Sequence, residues 1–126
     1  MKIIGDSLIP FEEFYIVKNI EDISKTRANS QIFFNFDEKL LKYSFEQSLN
    51  FFVEVKSVKE AIYSNSLNAR YIVCDKILAR KLQKIADNYI FDSKILALIS
   101  SNEEFEDIAE AEIDGVIYEK TIKERI

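Results

Sequence analysis

The sequence predicts an α/β fold: a doubly wound, mostly parallel sheet of five to six strands between two layers of helices. Three observations lead there. Short apolar or β-branched runs recur six times, a segment with helical spacing follows each of the first five, and a residue able to cap a helix stands at each of those junctions. Strand and helix in alternation imply parallel strands joined by right-handed crossovers. The runs are almost continuously apolar, which is the pattern of strands buried on both faces.

Taken in order, Ile3 and Ile4 add an edge strand that Pro10 ends. The run "FYIV" (14–17) leads through Asn19 into a short helix over 20–26. "QIFFNF" (31–36) leads through Asp37 into 38–48, and "FFVEV" (51–55) through Ser57 into 58–66. "RYIVC" (70–74) and Asp75 precede the clearest helix, 76–90, where Leu78, Leu82, Ile85 and Tyr89 fall at i, i+4, i+7 and i+11. "KILALI" (94–99) passes through Ser101 into 102–112, where Phe105, Ile108 and Ala109 form a stripe beside an acidic face, and "GVIY" (115–118) closes the series. Each junction residue can accept hydrogen bonds from first-turn amides that have no partner within the helix. Ser57 with Glu60, and Ser101 with Glu104, have the spacing of a capping box. Val17 and Val55 repeat at the same 38-residue offset as Asp37 and Asp75, which reads as the shared grammar of βα units. The expected architecture is a flavodoxin-like three-layer sandwich.

Composition bounds the rest. A chain of 126 residues with 48% hydrophobic and 31% charged residues is an ordinary globular domain, and one Pro and two Gly leave little room for a flexible linker. We read 1–126 as a single domain, in which residues 1–30 add a strand and helix to a core over 31–122. No apolar run nears the roughly 18 residues of a membrane span. "MKIIGDSLIPFEEF" turns acidic too early for a signal peptide, and the lone Cys74 can form no internal disulfide. A cytoplasmic protein is expected. The net charge of −5 argues against a nucleic-acid partner, so the basic group Lys76, Arg80, Lys81 and Lys84 is read as a solvated helix face. The absence of His removes the commonest general base and metal ligand. With Gly only at 5 and 115 there is no phosphate-binding loop or dinucleotide fingerprint, and no cofactor is expected. The ten Phe and six Tyr cluster on apolar runs and are read as core.

Three stretches carry a family resemblance. "QIFFNFDEKLLKYSFEQS", "LNARYIVCDKI" and "KILALISSNEEFEDIAEAEIDGVIYEKTI" resemble, in order, parts of the receiver domain of bacterial two-component response regulators. The first is similar to that family's first strand, acidic pair and first helix. The second is similar to its third strand and phosphoacceptor aspartate, and the last to its fourth strand through its lysine. The resemblance implies Asp75 as phosphoacceptor, Asp37 as one of the acidic pair that holds Mg²⁺, Ser100 near the hydroxyl position and Lys120 as the phosphoryl-contacting lysine. The pattern departs where Phe36, or Asn35 in a slipped register, replaces the second acid. It departs again where Ile99 aligns better than Ser100 and where no proline follows Lys120. A degenerate pseudo-receiver is implied, a non-catalytic interaction module. The segment "EDIAEAEIDGVIYEK" is also similar to a late βα unit of phosphate-binding (β/α) barrels, of which a chain this short would be half.

The candidate catalytic residues are therefore Asp75, Asp37, Ser100 and Lys120, with Asp37 and Asp75 as the candidate metal ligands. Each aspartate has a plainer reading as the N-cap of the helix behind it, and Cys74 reads as a small buried apolar residue. The alternative function is a small α/β enzyme or ligand-binding protein, including a half-barrel, with its site at the carboxyl ends of the strands. There Asp37, Lys56, Asp75, Ser100, Glu119 and Lys120 would converge. Residues 103–114 carry seven carboxylates and no base, so the acidic helix 102–113 is the candidate surface for a protein partner or for self-association. No membrane partner is expected.

Overall fold

Every apolar run forms a strand, and Ile3 and Ile4 lie in one more at the edge. The computed structural model describes residues 1–126. Its strands are β1 (Lys2–Ile4), β2 (Phe14–Ile16), β3 (Gln31–Asn35), β4 (Asn50–Glu54), β5 (Tyr71–Cys74), β6 (Lys94–Ile99) and β7 (Gly115–Tyr118). The helices are α1 (Ile20–Ser24), α2 (Glu38–Glu46), α3 (Val58–Ser66), α4 (Lys76–Tyr89), α5 (Phe105–Glu110) and α6 (Glu119–Lys123), with a 3₁₀ turn at Asn102–Glu104 before α5. No helix is long and apolar enough to cross a membrane.

The expected doubly wound, flavodoxin-like sandwich is corrected by the sheet itself. All seven strands are parallel, in the order β1-β7-β6-β5-β4-β3-β2. From β2 to β7 each strand lies beside the one before it, always displaced in the same direction. Right-handed crossovers then place every connecting helix on the same face. A doubly wound sheet needs a reversal of direction among its helical crossovers to put helices on the other face, and the steps from β2 to β7 contain none. One buried cluster joins α2 to α5 to the strand positions Ile32, Phe34, Phe51, Val53, Ile72, Cys74, Ile95, Ala97 and Val116. The opposite face holds Ile4, Phe14, Phe33, Phe52, Tyr71, Val73, Leu96 and Ile117, with no residue of α1 to α5.

That second face is buried because the sheet curls into a half-barrel. Phe14 on β2 and Phe52 on β4 have ring centroids 5.3 Å apart, although β3 runs between them. In a flat sheet those strands would lie roughly 9.6 Å apart. The link between the outer strands makes the same demand. Flat, β1 and β2 would be about 29 Å apart. Residues 5–13 reach about 33 Å only when fully extended. The link is not extended, since the Leu8 N–H turns back to Asp6 Oδ1 (2.8 Å) and Phe11 packs on the concave cluster. Arg125 fastens the seam beyond α6. Its guanidinium donates to Thr121 and Glu13 and lies 4.5 Å from the Phe14 ring centroid.

Local chemistry explains the regular units. The four helices α2, α3, α4 and α5 end on left-handed residues, Ser48, Asn68, Ile90 and Glu112, with φ between 53° and 68°. The next N–H then returns to the carbonyl five residues back: Leu49 to Ser44, Ala69 to Ser64, Phe91 to Ala86 and Ile113 to Ile108. This closes each helix and turns an apolar residue onto the helix-side cluster before the next strand.

Candidate functional site

Five βα turns present their polar residues at the carboxyl ends of the strands, and each turn closes on itself. Asn19, Asp37, Ser57, Asp75 and Ser101 accept from the N–H groups of Asp22, Leu40, Glu60, Leu78 and Glu103 at 2.8 to 3.3 Å. Ser101 and Glu104 complete a capping box, whereas the Glu60 carboxylate takes the Lys56 N–H, one residue before the cap.

The structure does not bring Asp37 and Asp75 together. They end β3 and β5, with β4 between them, and each is turned toward its own helix. The receiver arrangement sets those two strands side by side, so the shared Mg²⁺ site that the resemblance implies has no geometric basis here. No group of three Cys, Asp or Glu side chains converges as a metal-binding set. Lys56 sits at the end of β4 and pairs with Glu54 at 2.9 Å; that hydrogen bond and the carboxylate charge raise its pKa. Cys74 is buried on the helix side. Burial first, then the charges of Asp75 and Glu54, push its thiol up to about 12, so a thiolate nucleophile is disfavoured at neutral pH. Glu119 is exposed at the start of α6.

Ser100 and Lys120 do share one cleft. They line a cleft of about 410 Å³ over the carboxyl ends of β6, β7 and β1, together with Asp6, Ser7, Ser101, Asn102 and Thr121. Gly5 builds its floor. With φ of +94° it adopts a conformation that L side chains rarely take, and a Cβ there would lie 2.7 Å from Thr121 Cγ2. The next residue, Asp6, accepts from the Tyr118 hydroxyl (2.6 Å) and the Leu8 amide. These bonds, Tyr118 foremost, lower the Asp6 pKa. Burial, followed by the Asp6 contact, pushes Tyr118 up to about 12. At neutral pH the pair is therefore a carboxylate held by a neutral phenol.

One wall of the cleft is already neutralised from within. The Glu104 carboxylate accepts from the Ser100 N–H (2.6 Å), the Ser101 N–H (3.1 Å) and the Ser100 hydroxyl (3.0 Å). Lys76 Nζ reaches its other oxygen at 2.5 Å. Lys76 first, then the Ser100 amide, lower Glu104 to about 2. In a phosphate-binding barrel, strand-end amides of this kind would face the ligand, whereas here Glu104 takes the Ser100 and Ser101 amides of "ISSNEE". What remains open to a ligand is a set of hydroxyls, one amide side chain, the Lys120 ammonium and two carboxylates, Asp6 and Glu124.

Sequence reasoning found Ser100 and Lys120 but missed Gly5, Asp6 and Tyr118. A signal was present: one of only two glycines, followed at once by Asp and Ser, directly after the apolar pair Ile3–Ile4. Neither a protein-family model nor a curated protein matches this chain.

Proposed function

We propose that this protein binds a small, polyhydroxylated molecule in the cleft at the carboxyl ends of β6, β7 and β1. One observation carries the reading: the hydroxyls of Ser7, Ser100, Ser101 and Thr121, the Asn102 amide and Lys120 line one open cleft. Hydroxyls both donate and accept, which suits a ligand whose own groups do the same. The Asp6–Tyr118 bond fixes one side of the cleft, and the Glu104 bonds to Ser100 and Ser101 fix another. The fold supports the location, because open parallel α/β sheets present their ligands beyond the strand carboxyl ends.

Binding is favoured over catalysis. Asp37 and Asp75 serve their own helices, Cys74 is buried, and Ser100 hydrogen-bonds to a carboxylate that is too weak a base at about 2 to activate it. Few apolar residues line the cleft, so affinity rests on hydrogen bonds and is modest.

The test is an amide chemical-shift titration of ¹⁵N-labelled protein with sugars, polyols, amino acids and dicarboxylates at millimolar concentration. Sugars or polyols are expected to shift the amides of Gly5, Ser100, Ser101, Asn102 and Thr121, and Ser7→Trp is expected to block the effect. A panel that moves none of these amides, or moves them equally in Ser7→Trp, would overturn the assignment.

A further inference from the structure

We propose that the adjoining faces of α4 and α5 dock a second copy of this chain, in a two-fold pair that sets α4 of each copy against α5 of the other. The two helices follow consecutive strands and lie side by side on the same face of the sheet. Along α4, Arg80, Lys81 and Lys84 are exposed and make no ion pair within the chain. Along α5 and its flanks, Glu103, Glu106, Asp107, Glu110 and Glu112 are equally exposed and equally unpaired. A single bridge, Lys76 to Glu104, joins the two elements. In a chain of net charge −5, the surface thus keeps a cationic stripe beside an anionic one without letting them neutralise each other.

A two-fold axis resolves this. Turning a second copy by half a revolution brings its anionic stripe over the cationic stripe of the first, and the reverse contact forms at the same time. Like-charge juxtaposition disfavours the untwisted arrangement. Ile77, 86% exposed next to the Lys76–Glu104 bridge, gives the contact an apolar anchor. The size sets the strength. A 14-residue helix is roughly 21 Å long. A two-helix face about 20 Å wide buries on the order of 400 Å² per copy, about half of a standard interface. The association is therefore weak, concentration-dependent and sensitive to salt.

Sedimentation velocity of the full chain, at low and high salt, tests it through a charge exchange. One variant carries Arg80→Glu, Lys81→Glu and Lys84→Glu; the other carries Glu106→Lys, Asp107→Lys and Glu110→Lys. The wild type is expected to dimerise at low salt and dissociate at high salt. Each variant alone should show at least a tenfold weaker self-association, and an equal mixture of the two should recover the dimer. Should a triple reversal unfold by circular dichroism, Lys84→Gln and Glu110→Gln repeat the comparison, with a loss of about threefold each. A wild type that stays monomeric to its solubility limit would overturn the proposal. So would reversed variants that associate like wild type, or folded variants that fail to pair on mixing.

Discussion

At the amino ends of the strands, hydrogen bonds reach far along the chain; at the carboxyl ends they close within one turn. Gln31 joins Glu12 to Arg70, Ser93 joins Asn65 to Ala69, and Gln83 and Asp114 join α4 to the starts of β6 and β7. These bonds span 19 to 39 residues, and Gln31, Ser93 and Gln83 are all buried. The caps at the other end span two or three residues. Two links break that pattern, Tyr118 to Asp6 and Lys76 to Glu104, and both belong to the surroundings of the cleft. One end ties neighbouring units together, while the other leaves each turn free to vary without loosening the next. Parallel α/β barrels divide stability and function between their two ends in the same way.

The sharpest break of this contrast is Gly115→Ala. A Cβ there would run into the Lys2 carbonyl and lie 2.8 Å from Leu96 Cδ2, between β1 and β6. Urea denaturation is expected to show a loss of about 3 kcal/mol or more. Gln83→Ala leaves the half-buried Asp114 N–H without its acceptor and should cost about 2 kcal/mol. Acid probes the other end. Glu104 is lowered in the folded state to about 2 from 4.5, so its contribution is complete above pH 4.5 and is lost as pH falls toward 2. Glu104→Gln should flatten that part of the stability profile in denaturant titrations at stepped pH. Asp75→Ala should cost about 1 kcal/mol and Asp75→Asn almost nothing, because asparagine can still accept the Leu78 N–H. Last, Lys120→Ala, at a side chain 84% exposed, should stay within about 0.5 kcal/mol of wild type in the same urea titrations. A rim substitution that matched Gln83→Ala in cost would erase the contrast.

The strands, helices and caps were legible because each is a local matter. Asp75 stands where a cap must stand, and Leu78, Leu82 and Ile85 repeat with the helical period whatever lies around them. The direction in which each crossover steps is not local, so the winding was misread. Apolar residues on both faces of the strands imply helices on both sides, whereas the second face is covered by the curl of the sheet, by Phe11 and by α6. A usable signal lay in the spacing of Phe14, Phe33, Phe52 and Tyr71, successive at 19 residues, all of which point into the concave side. Large side chains at one period on one face are what a curled sheet needs to fill its interior. The helix α6 was missed because it has only five residues and no side-chain cap bond. In the cleft, Ser100 and Lys120 could be found from the strand ends on which they follow. Asp6 carried a local signal in Gly5-Asp6-Ser7, but its place beside them rests on the non-local pairing of β1 with β7.

That pairing also has a bearing on how the molecule is made. Strands β2 to β7 can assemble one after another as they leave the ribosome, each finding the neighbour synthesised just before it. β1 emerges before the other six strands yet has no partner until Gly115–Tyr118 appears about 110 residues later. At roughly 5–20 residues per second that is a wait of about 5–20 s. For that interval the nascent chain has its repeating units but neither the seam at Arg125 nor the floor of the cleft, so the cleft is assembled only after the units around it.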